Sequence, residues 1–491
     1  MASSARRFRR DERGFVLVFV AIAIPALLGL AGLAVDGGRL LTLDTRLAAL
    51  ADSAALAAAN RLDRSPGAIA GARGAALAMA EAVARRDGDP GPVSLSFRFA
   101  AELSDLRASP GFTLSDDAGQ DAAFVEVATA PRSLVAGFLS LLGGSRVTIV
   151  RRAVASSQYF ACDVTPLLFC HVDPDAFAAR LRPGRQLLLR LDPTGRNGSV
   201  GWVGPADDPG GRQGAVLLAS DAPAFCYGEG TTLRRNVAAA DFDDAVNVRF
   251  DRYVGTRGPI MPELAAFPPA PSIVQGRRYQ SCTSPPGGGD VNPPFHLPRD
   301  AGLRTPGPST PYDAGQGDWT TSALYGGSGV LERGTALDEY LAWNHGNKSP
   351  LFEDQLRSAP TRYELYLREL GLTSDTETVR VPTRGGLAAA GTLPTGGPLS
   401  GLYDGQRESV VPRCYVGARA ADQARRRIVY MAIADCNAER FTAGRLSRNV
   451  GKFFLTEGSS SGALLVEFVN LVRPGQDDGK LRHVVTLVDA R

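Results

Sequence analysis

Lysine is almost missing from this chain: Lys348, Lys452 and Lys480 stand among 54 basic residues. Histidine is nearly as scarce. His171, His296, His345 and His483 lie far apart in sequence, which argues against a histidine-rich metal site. A net charge of +3 leaves no electrostatic footprint for a nucleic-acid partner. No two of the six cysteines have Cys-x-x-Cys spacing, so the usual thiolate arrangement for zinc is excluded. One further absence is local. From Gly14 to Val35 there is no charged residue at all.

What is present belongs to a folded protein. The hydrophobic fraction of 44% and charged fraction of 21% exclude wholesale disorder. With 491 residues the chain has room for two or three domains, and 55 Gly and 33 Pro point to many turns.

The uncharged stretch, GFVLVFVAIAIPALLGLAGLAV, is 22 residues long. A spanning helix needs ~20. Thirteen of its residues are Phe, Val, Leu or Ile. At roughly −0.3 to −0.6 kcal/mol each, they favour insertion by about 4 to 8 kcal/mol. Pro25 lowers this without vetoing a span. Arg6, Arg7, Arg9, Arg10 and Arg13 precede the run, whereas Asp36 and a single Arg39 follow it. The positive-inside rule then keeps residues 1–13 in the cytoplasm as a basic tail, spans 14–35 and exports the rest. A cleaved signal peptide, cut after Ala31 or Ala34, is the competing reading.

Beyond the span the helical pattern persists. Leu40, Leu43, Leu47, Leu50, Ala54 and Ala57 recur at intervals of three and four, one stripe of a helix. Pro66 and Gly67 break it. A second Ala-rich helix, about Ala68 to Arg86, is expected to fold back on the first.

From Val93 to Ala155 the periodicity changes. VSLSFRF, AFVEVATA and RVTIVRRAVA read as strands, with SLVAGFLSLLG between them as a short amphipathic helix. Residues 36–158 are therefore expected to form a helical stalk and a small, pilin-like α+β unit. Residues 159–491 are expected to be a strand-rich exported body with Pro/Gly loops at 192–214 and 258–317. In it RQLLLRL, RIVYMAIADC, KFFLTE, ALLVEFVNLV and HVVTLV read as strands, the last four closing one sheet. LDEYLAWN and TRYELYLREL read as short helices. The fold class is α+β.

Cys162, Cys170, Cys226, Cys282, Cys414 and Cys436 all fall in the exported part, where an even count suits disulfides. Pairing nearest neighbours gives Cys162–Cys170, Cys226–Cys282 and Cys414–Cys436.

The N-terminal segment resembles a known family. An Arg-rich start, Glu12-Arg13-Gly14, the apolar run with Pro25, Val35-Asp36 followed closely by Gly-Arg, and the Ala-rich run Ala51 to Ala59 containing Asp52 occur in one order. This order resembles the TadE/TadG-like proteins of bacterial tight-adherence (Flp) pilus assembly, over about the first 63 residues. Weaker likenesses to larger TadG-like proteins are CDVTPLLFC, NVRFDRY, TRYELYLREL and RRRIVYMAIADC. The resemblance implies a non-enzymatic, single-pass protein of the bacterial inner membrane. Its body would face the periplasm and its partners would be other pilus-assembly proteins. Processed pilins of this kind carry Glu at the fifth position after the cleaved Gly; counted from Gly14 that position is Phe19, which implies an uncleaved anchor. Some TadG-like proteins hold Mg²⁺ in an Asp-x-Ser-x-Ser site. Asp163-Val-Thr165-Pro-Leu167 lacks the second hydroxyl, and Asp318-Trp-Thr320-Thr-Ser322 fits only loosely.

Other chemistry finds little support. Gly458-Ser-Ser460-Ser-Gly462 has the spacing of a hydrolase nucleophile elbow, but a strand-like run follows it where a helix is required. It reads as a hairpin loop. Gly451-Lys452 lacks the spacing and the hydroxyl of a phosphate-binding loop. Glu364 and Glu369 read as a solvated surface. Asn247, Arg249 and Asp251 read as alternating residues of a strand, with an Arg249–Asp251 pair bracing a turn. No catalytic residue, cofactor or small-molecule substrate is expected. An anchored exported hydrolase or ligand-binding protein, or a minor pilin, are the other functions considered.

Overall fold

A computed structural model of the chain describes residues 13–86, 93–135, 137, 146–192, 197–203, 212–220, 226–228, 233–234, 239–255, 258–260, 262–270, 297–303, 312–319, 336–338, 340, 356–370, 372–374, 414–415, 424–434, 449–472 and 480–488. Helices and strands are mixed, and the chain divides into two compact units, residues 1–158 with 483–491, and residues 159–482.

The first unit begins with α1 (Arg13–Ala59) and α2 (Ala68–Arg86), followed by β1 (Leu95–Ala100), α3 (Leu103–Ala108), β2 (Phe124–Thr129), β3 (Arg132–Leu134), β4 (Val147–Ile149) and β5 (Arg152–Cys162). The second unit contains β6 (Leu167–Cys170), α4 (Pro174–Arg180), β7 (Gln186–Leu191), β8 (Ser199–Val203), α5 (Arg212–Ala219), β9 (Cys226–Gly228), β10 (Leu233–Arg234) and α6 (Ala239–Asn247). There follow β11 (Val254–Gly255), β12 (Gly258–Pro259), β13 (Tyr312–Ala314), α7 (Arg362–Glu369), β14 (Ile428–Ala434), β15 (Val450–Leu455) and β16 (Ala463–Leu471). The last strand, β17 (Leu481–Val488), returns the chain to the first unit.

The helix pair is built from alanine. Ala51, Ala54, Ala55 and Ala58 of α1 and Ala68, Ala72, Ala76 and Ala80 of α2 are buried in one core cluster. Spacings of three and four put each set on one face, and side chains this small let the helices approach closely. Phe99 of β1, Val125 and Val127 of β2, and Ala153 and Ala155 of β5 complete the cluster. The sheet runs β1-β2-β5-β17, with β1–β2 and β2–β5 antiparallel. HVVTLV thus belongs to this sheet, not to the one formed by the three strands before it. An alternating pattern specifies a strand but not its neighbour. RVTIVRRAVA is two strands, β4 and the start of β5, which runs on to Cys162. The start of SLVAGFLSLLG is extended, since Ser133 and Leu134 belong to β3. The rest of that segment lies outside the described residues, Val135 and Gly137 excepted.

The second unit is organised by a six-stranded barrel. Its order is β8-β6-β14-β15-β16-β7, and the pairing of β7 with β8 closes the ring. β14–β6 and β7–β8 are parallel, the other pairs antiparallel. Alternate residues from every strand fall in one buried cluster: Leu167 and Phe169, Leu187 and Leu189, Val200, Val429 and Met431, Phe453 and Leu455, Leu464 and Val466. One face of each strand fills the interior, as a small barrel requires. The closing strand, β8, falls within 192–214, and β12 and β13 within 258–317, so both stretches hold structure as well as loops.

A buried ionic network ties α7 to the barrel. Arg362 Nη1 donates to Glu467 Oε2 on β16 at 2.9 Å and to the Gly184 carbonyl at 3.1 Å. Nη2 donates to Asp300, Nε to the Pro298 carbonyl, and Trp319 lies 5.0 Å from the guanidinium. Glu467 also accepts from the backbone N–H groups of Arg362 and Tyr363, which puts a carboxylate at the α7 N-terminus. Burial pushes the Glu467 carboxyl up, against the opposing pull of Arg362.

Candidate functional site

The feature of this chain that most invites a function is α1. An 18-residue window within it has mean hydropathy 2.6, long and apolar enough to cross a membrane. Its large apolar side chains are on the outside: Phe19, Ile22, Leu27, Leu30 and Leu33 are all more than half exposed, with Phe19 at 64%. Soluble monomers rarely present a contiguous apolar surface of this kind. Pro25 sits inside the helix, which continues through it. Farther along, from Leu47 onward, the same helix buries its alanine stripe. One helix thus has two parts, an apolar part with nothing packed on most of it and a part that belongs to a core.

The junction between them is braced by the β3–β4 hairpin. Asp36, the first charge after the apolar run, is fully buried, and its Oδ1 accepts from the Gly137 backbone N–H at 3.1 Å. Arg151, two residues after β4, donates from Nε to Asp44 at 2.6 Å. Eight residues of helix separate the two contacts, ~12 Å of rise. The hairpin therefore lies along α1, with Arg151 at Asp44 and Gly137 at Asp36. Neither Gly137 nor Asp44 with Arg151 stands out in the sequence, because each partner is some hundred residues away.

The remaining residues singled out from the sequence distribute as follows. Arg6, Arg7, Arg9 and Arg10 lie outside the described residues, and Arg13 and Gly14 begin α1. Asp52 is half-buried in α1. Cys162 bonds to Cys226, not Cys170; the two face each other in the antiparallel β5–β9 pairing, with Cα atoms 4.0 Å apart. This overturns both nearest-neighbour pairs that involve them. Cys170 and Cys414 are also disulfide-bonded. Cys282 and Cys436 lie outside the described residues.

The tempting motifs of the second unit are structural. NVRFDRY is not a strand: Asn247 ends α6, Val248–Phe250 is a 3-10 turn, and Asp251 is left-handed. Arg249 does not pair with Asp251. It is buried and donates to the carbonyls of Leu218, Ser220, Arg426 and Ile428, while Asp251 accepts from the backbone of Cys414 and Tyr415. The Gly458–Gly462 loop joins β15 to β16 and is pinned by α6. Asn247 exchanges two hydrogen bonds with the Ser459 backbone, and Asp243 accepts from Ser459 Oγ and the Gly462 N–H. Ser460 is exposed and a strand follows it, so no nucleophile elbow forms. Glu369 is not solvated: it is buried and accepts from Tyr340. Lys452 lies within β15, its ammonium 5.6 Å from the Tyr363 ring.

Burial is the largest cause of the shifts at Asp244, His171 and His483. Burial and the neighbouring Asp243 and Asp241 push Asp244 up to about 6. His171 is held low by burial while its ring stacks on Phe177, 4.5 Å between centroids. His483 is held low first by burial and then by Arg64; its Nε2 lies 2.8 Å from Ser157 Oγ. Among the described residues, no group of three or more His, Cys, Asp or Glu side chains is placed to hold a metal ion.

Comparison with curated proteins and with solved structures gave no match. Comparison with family models did, on the helix that carries the apolar surface: residues 14–61 match the Tad family, described as "Putative Flp pilus-assembly TadE/G-like".

Proposed function

We propose that this chain is a non-enzymatic, single-pass component of Flp/Tad-type pilus assembly. Residues 14–35 span the bacterial inner membrane, residues 1–13 remain in the cytoplasm, and the exported remainder is presented to partner proteins in the periplasm. The observation that carries this reading is a coincidence of boundaries. The family match covers 14–61, and α1, with its exposed apolar half and its alanine stripe, covers Arg13–Ala59. The arginines before the run set the orientation. Disulfide chemistry in the body suits an oxidising compartment. Phe19 in place of a pilin-type Glu favours an uncleaved N-terminus.

Affinity purification of the tagged, detergent-solubilised chain from its native host tests the assignment. Pilus-assembly proteins should co-purify. Recovery of none, from cells that express the pilus, would remove the pilus role and leave only an anchored exported body.

A further inference from the structure

We propose that the β3–β4 hairpin is a second membrane-contacting element, with its Leu134–Val147 end resting in the headgroup and upper acyl region beside α1. The inference rests on the reading that residues 14–35 span the bilayer. Two contacts orient the hairpin: Arg151 with Asp44 and Gly137 with Asp36. Asp36 directly follows the apolar run. The interfacial layer on each side of the hydrocarbon is ~5–8 Å thick. A backbone group bonded to the Asp36 carboxylate therefore lies in that layer.

The side chains at this level match the environment. Leu134 pairs with Val147 at this end of the hairpin. Val135 and Val147 are 60% and 40% exposed, although they are large apolar residues. The polar cross-strand pair, Ser133 with Thr148, lies one step farther from this end, its hydroxyls 2.9 Å apart. Arg146 is exposed beside Val147 and has the reach to meet lipid phosphate while its stem stays with the apolar residues. On α1, Gly32 is buried one turn before Asp36 and on the same face, whereas its neighbours Ala31 and Leu33 are exposed. Cover on α1 thus extends one turn into the apolar run. Two exposed valines make a surface far too small for a stable protein interface of ~800 Å² per partner. They are enough to seat a hairpin already tethered by a spanning helix, since buried apolar area is what holds an interfacial segment. A lipid surface is therefore the occupant.

Depth-resolved fluorescence quenching tests this. Val135→Cys and Val147→Cys would be introduced separately into the full chain, labelled with an environment-sensitive fluorophore and reconstituted in nanodiscs with and without nitroxide-labelled lipid. The unsubstituted chain, labelled identically, sets the background. Leu27→Cys reports the span, and Ser104→Cys on exposed α3 reports the aqueous side. Labels at 135 and 147 should lose emission to shallow nitroxides, while the label at 104 loses none. Quenching at 27 but at neither hairpin position would overturn the inference and leave the anchor intact. No quenching at 27 would overturn the anchor and the inference with it.

Discussion

Replacing Arg362 with Met should destabilise the second unit more than almost any other single change. The side chains of Arg362, Asp300 and Glu467 are fully buried in contact with one another. Methionine fills part of the volume and supplies no donor, so two carboxylates stay inside without their cation. Each keeps backbone donors: Arg362 and Tyr363 N–H for Glu467, and Gln186 and Gly317 N–H for Asp300. These soften the loss but do not neutralise charge. Breaking a buried pair in this way costs about 3–5 kcal/mol. Against a typical stability of roughly 5–15 kcal/mol that is about a fifth or more. At ~2–4 °C per kcal/mol for a unit of this size, the unfolding midpoint should fall by at least ~6 °C. Circular dichroism on the purified chain would measure it. The triple variant Arg362→Met, Asp300→Asn, Glu467→Gln should recover most of the loss, because it removes the orphaned charges rather than the cation alone. A loss under ~1 kcal/mol, or a triple variant no more stable than the single one, would refute the reasoning.

Two further outcomes follow from the same kind of argument. Asp244 has its folded pKa raised to about 6 from 3.8, so the folded state binds its proton more tightly than the unfolded state. Its ionisation therefore opposes folding: stability is complete below the unfolded value and is lost as pH rises through about 6. Two pKa units amount to ~3 kcal/mol, which solvent screening at this partly buried side chain reduces to ~1 kcal/mol. Asp244→Asn should raise the unfolding midpoint at pH ~7 and lose that advantage near pH ~4; an advantage that persists at the lower pH would contradict this cause. For the disulfides, Cys170 lies opposite Ala434 in the parallel β6–β14 pairing, and Cys436 follows Ala434 by two residues in the sequence. Mass spectrometry of a non-reduced digest should find Cys170–Cys436 and Cys282–Cys414. A Cys170–Cys282 peptide would refute it.

How much of this was legible beforehand depended on whether a feature is local. The apolar run, the alanine stripes and the break at Pro66-Gly67 are local, and α1 and α2 end and begin around them. Strands with strong patterns, such as RQLLLRL and ALLVEFVNLV, were equally visible. SVGWV was not, because it is short, carries a glycine and is flanked by loop residues; its neighbours β6 and β7 make it a strand. NVRFDRY alternates like a strand, yet the carbonyls that hold Arg249 come from segments about 30 and nearly 180 residues away. The Cys162–Cys226 pairing is hidden from the sequence for the same reason. Closeness in sequence is not closeness in space: Cys162 and Cys226 are brought together by strand pairing across 64 residues. At the candidate site the helix was legible and its brace was not, since nothing in the sequence links Asp36 to Gly137.

Protease access in the native host tests the central claim most directly. With the chain tagged at its C-terminus, proteinase K added to spheroplasts should destroy the tag, and an antibody to the basic tail should find a short membrane-embedded fragment that resists alkaline extraction. A tag that survives until the inner membrane is lysed, or a chain released by alkali without lysis, would contradict an anchor at residues 14–35 with an exported body.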